Sequence, residues 1–201
     1  MTRGRRGLIQ GFILAGGQSR RMGTDKAYLT LEGETFLQRI ATELAAVTES
    51  VSVVGATQAT DPGSFKTVQD VYPNWGALGG VHSALHACDS EWALIVACDF
   101  PFVTRQLFES LAAGREGFDA VAPVQDDDIP QPLCTLYRVD PCLDRANQLI
   151  KSGERKPIAL LQSVKTRWVA FDDVAGLRGS SHFFDNINSR EDYARISRKG
   201  V

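Results

Sequence analysis

The chain has 201 residues, 43% of them hydrophobic, with 22 Lys and Arg against 24 Asp and Glu for a formal charge of −2. This balance excludes a disordered, collagen-like or coiled-coil polypeptide, and the near-neutral total excludes a general binder of nucleic acid. The total hides an asymmetry: residues 1–26 hold six bases (Arg3, Arg5, Arg6, Arg20, Arg21, Lys26) against the single acid Asp25, and the remainder is acidic.

The apolar run 11–14 reads as a buried first strand that ends at Gly16-Gly17. The basic residues and apolar stretch at the start imitate a secretion signal, but Gln10 and Gly11 interrupt the apolar part and no A-x-A site follows. Residues 1–7 are expected to fray ahead of the strand. A helix is predicted to begin at Thr35, with Gln38 completing a capping box and Leu37, Ile40, Ala41, Leu44 and Ala45 along one face. Strands follow at 51–54 and 65–68, the second closing on Asp70. Gly76-Ala77-Leu78-Gly79-Gly80 reads as a turn preceding a helix over 80–88. Residues 92–98 are the longest strand-like run and end at Asp99. A helix over 104–113 capped by Gly114, strands at 120–124 and 133–137, a helix over 141–152, a strand at 167–171 and a helix over 189–196 complete the pattern.

Strands that alternate with helices, and are apolar without alternation, predict one α/β domain over 1–201 with a mostly parallel sheet covered on both faces. No run of 18 apolar residues is present, so no membrane span is expected. Cys88, Cys98, Cys134 and Cys142 form no C-x-x-C pair and read as reduced structural cysteines of a cytoplasmic protein.

Ligands of such sheets bind outside the carboxyl ends of the strands, which directs attention to the residues that follow each strand. After the first come small residues (Ala15, Gly16, Gly17) and three cations (Arg20, Arg21, Lys26), suited to a triphosphate although no P-loop or G-x-G-x-x-G pattern is present. Asp70 and Asp99 each follow a strand, where a carboxylate can face the crevice and hold Mg²⁺. Against Asp70 stands the plainer reading of a turn or helix cap. His82 and His86 are spaced i, i+4 as a zinc pair would be, but lack the H-E-x-x-H glutamate and a nearby third ligand. The run Asp126-Asp127-Asp128 reads as a solvated loop, and no Ser-His-Asp or Cys-His arrangement is supported.

The segment from Leu14 to Lys26 resembles the L-A-G-G-x-S-x-R-M-G-x-D-K signature of molybdenum cofactor guanylyltransferases, within the nucleotidyltransferase superfamily. Asp70 with Gly76–Gly80, then Ala97-Cys98-Asp99-Phe100-Pro101-Phe102, Gln131-Pro132-Leu133, Ser152-Gly153-Glu154-Arg155-Lys156 and Phe184-Asp185-Asn186-Ile187-Asn188 are similar to later blocks in the same order. The chain departs from the family pattern at Ala77 and Gly79 (more often Pro and Ala), at Ser189-Arg190 (usually Thr-Pro) and in a small insertion around 178–181. The resemblance implies a three-layer, Rossmann-like fold and an enzyme that joins GTP to molybdopterin with Mg²⁺, releasing pyrophosphate. It implies that Leu14, Ala15, Gly16 and Gly17 lie against the nucleotide, that Lys26 and Asp70 bind GTP, and that Asp99 binds GTP and the metal. Arg20, Arg21 and Lys26 then hold the departing phosphates, and Gly79, Gly80, Asn186 and Asn188 fall on the pterin side. GTP and molybdopterin are the partners so implied, with molybdoenzymes or their chaperones beyond them and neither nucleic acid nor membrane. The competing readings are a cytidylyltransferase or sugar-phosphate nucleotidyltransferase, and a nucleotide-binding module without catalysis.

Overall fold

A computed structural model describes residues 5–15, 29–55 and 65–185. Gly16, Gly17, Arg20, Arg21, Lys26, Asn186, Asn188 and the helix expected over 189–196 lie outside the described residues. The chain runs through β1 (Arg5–Leu14), a hairpin of β2 (Thr30–Leu31) and β3 (Glu34–Thr35), α1 (Phe36–Ala45), β4 (Val51–Val54), β5 (Lys66–Val68) and α2 (Gly76–Ala87). It continues through β6 (Ser90–Ala97), α3 (Arg105–Ala113), β7 (Ala120–Pro123), β8 (Cys134–Arg138) and α4 (Val139–Lys151). Two single-turn helices, α5 (Ile158–Leu161) and α6 (Phe171–Val174), flank β9 (Thr166–Val169), and a 3₁₀ turn at Ser180–His182 follows.

Seven strands form one sheet in the order β5-β4-β1-β6-β8-β7-β9. Every neighbouring pair is parallel except the two that involve β8. The mostly parallel α/β sheet expected from the sequence is therefore observed. β1 shows why its strand carries no polar alternation. Ile9, Ile13 and Ala15 enter the core beneath α1 and α3, while Phe12 and Leu14 enter the core beneath α2 and α4. β6 divides in the same way, Trp92, Leu94 and Val96 to one side and Ala93 and Ile95 to the other. Both faces are buried, so both must be apolar.

Residues 5–7, expected to fray, instead belong to β1: Arg5 pairs with Ser90, and after a register shift the ladder resumes at Ile9 with Trp92. Gly7 sits at φ +78° in that irregularity, and its N–H donates to Glu91 Oε2 at 2.8 Å. The strand expected at 167–171 ends at Val169, because the chain turns into α6. The β2–β3 hairpin has no counterpart in the sequence reading. Its two-residue turn places Glu32 at φ 55° and Gly33 at φ 87°, the left-handed pair that tight hairpins require. Leu31 of this hairpin packs with Phe36 and Phe102 in a small separate core. Among the described residues no helix is long and apolar enough to cross a membrane.

α1 begins as predicted. Thr35 Oγ1 accepts from the Gln38 N–H at 3.1 Å, and Gln38 Oε1 accepts from the Thr35 N–H at 2.9 Å. Replacing Thr35 by Ala leaves the Gln38 amide without its cap. The expected cost is about 1 kcal/mol of unfolding free energy, read as a lower denaturant midpoint with an unchanged slope.

Candidate functional site

Parallel pairing gathers the carboxyl ends of β1, β4, β5 and β6 on one edge of the sheet. Backbone hydrogen bonds extend the ladder one step past the strands: Ala15 N–H to Val54 O, Cys98 N–H to Leu14 O, and Gly55 N–H to Val68 O. The connection leaving β1 leads to β4 on one side, whereas the connection leaving β5 crosses over to β6 on the other. The gap between the ends of β1 and β6 is thus a topological switch point, where open α/β sheets form ligand crevices.

Asp99 stands at this gap, two residues beyond β6 and half-buried. Its backbone is set by a tight turn in which the Phe100 N–H donates to Ala97 O. Asp70 stands two residues beyond β5 at the far side of the same edge. Three strand spacings, about 14 Å, separate β5 from β6, so the two carboxylates flank the crevice and do not share one ion. Burial raises the Asp70 pKa above its ordinary value, and hydrogen bonding to the Ser83 hydroxyl partly opposes that shift.

Two chain segments converge on the Asp99 turn. The described chain resumes after the basic loop at Leu29, which packs against the Leu31-Phe36-Phe102 cluster, while Leu29 O accepts from the Phe36 N–H. The described residues on either side of 16–28 are thus Ala15, at the end of β1, and Leu29, packed beside Phe102. On the other side Phe184 packs edge-on against Phe100 at 5.9 Å, and Phe183 is fully buried. The segment 178–182 leads directly into this docking. Gly179 adopts φ +78° and the 3₁₀ turn that follows brings Phe183 inward. The N-I-N block starts directly after this anchor.

Gly76–Gly80, expected to precede a helix, instead forms the first turns of α2, with Gly76 at φ +73°. A Cβ on Gly79 would lie 2.8 Å from Trp75 Cβ and 3.2 Å from Tyr72 O. Glycine is therefore required here by the Tyr72–Trp75 turn, which explains the departure from the family's alanine. Gly80 faces the Leu14 side chain at ordinary contact distance and so joins α2 to the end of β1.

Several contacts near this edge carry no sequence signal, because they span long separations. Trp75 donates its Nε1–H to Glu154 O at 2.9 Å, and the Arg155 guanidinium lies over the same indole ring at 4.6 Å. Backbone N–H groups of Lys156 and Arg155 hold the Glu154 carboxyl below its usual range. His82 is 2% exposed, bonds through Nε2 to Asn147 Oδ1 at 2.9 Å, and meets Tyr72 edge-on at 4.9 Å. Its ring stacks on His86 at 6.0 Å with Nε2 engaged, which is a packing arrangement and not a ligand pair. Among the described residues no three His, Cys, Asp or Glu cluster as a metal cage. A carboxylate at a crevice, as at Asp99, instead suits a hard cation that would complete its shell with substrate oxygens. The four cysteines are buried, and burial pushes Cys88 and Cys134 up to about 12, so these two are not nucleophiles. An open groove of about 560 Å³ lies at the opposite edge of the sheet, by Glu91, Trp92, Arg115 and Arg138. Its charges are largely matched, since Arg138 pairs with Glu91 at 3.3 Å.

Comparison with known proteins supplies the family. Residues 11–167 match the model of the MobA-like NTP transferase domain. The chain belongs to this family. It is a nucleotidyltransferase, as the ordered blocks in its sequence implied. A probable molybdenum cofactor guanylyltransferase of Pelotomaculum thermopropionicum is 30% identical over 92% of this chain and 90% of its own. The molybdenum cofactor guanylyltransferase of Vibrio atlanticus is 30% identical over 92% and 93%. The fold is shared with the molybdopterin-guanine dinucleotide biosynthesis protein A of Archaeoglobus fulgidus, at a TM-score of 0.80 and 22% identity over 94% of this chain and 97% of that one. On the topological argument the strand-end crevice is the candidate active site.

Two outcomes follow. Gly79→Ala must push Trp75 aside, costing about 1–3 kcal/mol by overpacking and shifting the tryptophan fluorescence. Burial lowers the His82 pKa, so the unfolded chain takes up a proton near pH 6.5 that the folded chain refuses. Stability is complete above about pH 6.5 and is lost as the pH falls toward the folded value, and His82→Gln shows a shallower loss below about pH 6.5 in chemical denaturation.

Proposed function

We propose that the protein transfers GMP from GTP to molybdenum-loaded molybdopterin in the cytoplasm, forming molybdopterin guanine dinucleotide and pyrophosphate. The reading rests on one observation above the others: Asp99 follows β6 at the switch point beside the end of β1, in a turn whose Phe100 packs on Phe184 and whose Phe102 packs with Leu29. The names of the relatives supply the substrate pair. In this reading Leu14, Ala15, Gly16 and Gly17 lie against the nucleotide, and Asp70 takes hydrogen-bond donors of GTP at the far end of the crevice. Arg20, Arg21 and Lys26 neutralise the phosphates that depart. The pterin lies along Gly79, Gly80, Asn186 and Asn188. Molybdoenzymes or their chaperones are the natural receivers of the product.

The attacking group is a phosphate monoester oxygen whose second pKa is about 6, so it is ionised at neutral pH without a general base. It forms a bond to the α-phosphorus of GTP while the bond from that phosphorus to the bridging oxygen breaks, and pyrophosphate leaves with that electron pair. Catalysis is then positioning of two polyanions and neutralisation of charge. The donor set fits Mg²⁺ in this role: Asp99 offers one hard oxygen ligand, as expected for an ion shared with substrate phosphates. Bound there, Mg²⁺ supplies positive charge to the reacting phosphates.

The test is pyrophosphate release from GTP, CTP and UTP, with and without molybdopterin, in Mg²⁺ buffer. Release is expected only with GTP and molybdopterin together. Preference for CTP reassigns the enzyme as a cytidylyltransferase, and nucleotide binding without release makes it a non-catalytic module. Asp99→Asn is expected to reduce release by about 10²-fold or more while leaving the thermal midpoint close to that of the wild type.

A further inference from the structure

Ser83 lies on α2, fully buried, one turn beyond Gly79. Its hydroxyl donates to Gly79 O at 2.8 Å, the usual return bond of a helical serine to the carbonyl four residues back. The oxygen keeps its acceptor capacity and takes the Val71 N–H at 3.0 Å. Val71 directly follows Asp70, so the bond to the hydroxyl fixes the backbone that carries the carboxyl. One buried oxygen thus ties together the segment after β5 and the first turn of α2.

We infer that Ser83 is a positioning residue that holds the backbone carrying Asp70 and the α2 glycine turn in register at the mouth of the crevice. The inference rests on the reading of Asp70 as a group that binds GTP. Without the hydroxyl, the Val71 N–H loses its protein partner, and the 70–71 backbone is no longer tied to α2. That release lets Asp70 shift along the sheet edge without touching Asp99, which lies three strands away. Ser83 makes no claim on the reacting atoms, so its loss falls on nucleotide affinity and not on the chemical step.

The experiment is a double-mutant cycle on the full chain: wild type, Ser83→Ala, Asp70→Ala and the double variant. GTP binding is measured by calorimetry with Mg²⁺, and kcat by pyrophosphate release at saturating GTP with molybdopterin. Ser83→Ala is expected to weaken GTP binding about tenfold, with kcat within about twofold of wild type. In the Asp70→Ala background the same change adds no further loss, because the group it positions is gone. A folded Ser83→Ala that binds GTP as the wild type does, or losses that multiply in the double variant, overturns the inference alone. A wild type that neither binds nor turns over GTP overturns the reading of the site and this inference with it. Should Ser83→Ala not fold, Ser83→Cys, of similar size and weaker hydrogen bonding, carries the same cycle.

Discussion

β1 is hydrogen-bonded along both edges, to β4 and to β6, and apolar on both faces. Everything at the functional edge depends on this double confinement. A strand buried on four sides cannot shift register without exposing apolar side chains and breaking two ladders, so its carboxyl end is the fixed point of the molecule. Parallel partners on both sides force the chain to emerge from β1, β4, β5 and β6 at the same edge. Crossovers in opposite directions then open the gap in which Leu14, Ala15 and Asp99 stand together.

Polar groups are placed against this apolar frame at a cost. Asp70 resists ionisation because its carboxyl is partly removed from water, and the Ser83 hydroxyl offsets only part of that. Since the folded chain holds the Asp70 proton more tightly than the unfolded one, ionising it as the pH rises through the folded value costs stability. His82 shows the opposite sign from the same cause, since burial penalises its charged form. Both lie at the junction of the 70–75 turn with α2, the part of the fold where packing and polar demands conflict most. The glycine at 79 belongs to the same compromise, because Trp75 Cβ and Tyr72 O occupy the space that a side chain would need.

Much of this was legible in the sequence because it is local. The Thr35–Gln38 capping box, the strand at 51–54 and the capping of α3 by Gly114 are set by residues within a few positions of one another. The ordered blocks at 14–26 and 97–102 pointed to nucleotidyl transfer before any coordinates. What escaped was non-local. Gly76–Gly80 has the composition of a turn, and it becomes helix because Leu78 within it, and Val81 and Leu85 on the following turns, are fully buried in the core. The contacts of Trp75 with Glu154 and of His82 with Asn147 join residues 79 and 65 positions apart. No periodicity or motif signals them. The β2–β3 hairpin was missed because two-residue strands are too short to show an alternation.

The central claim is that nucleotide and metal meet at the switch point between β1 and β6, flanked by Asp70 and Asp99. A crystal structure of the protein with GTP and Mg²⁺ tests it most directly. The account predicts the triphosphate and the ion at Asp99, with the nucleoside extending across Leu14 and Ala15 toward Asp70. Nucleotide bound at the opposite edge, by Glu91 and Arg138, would contradict it.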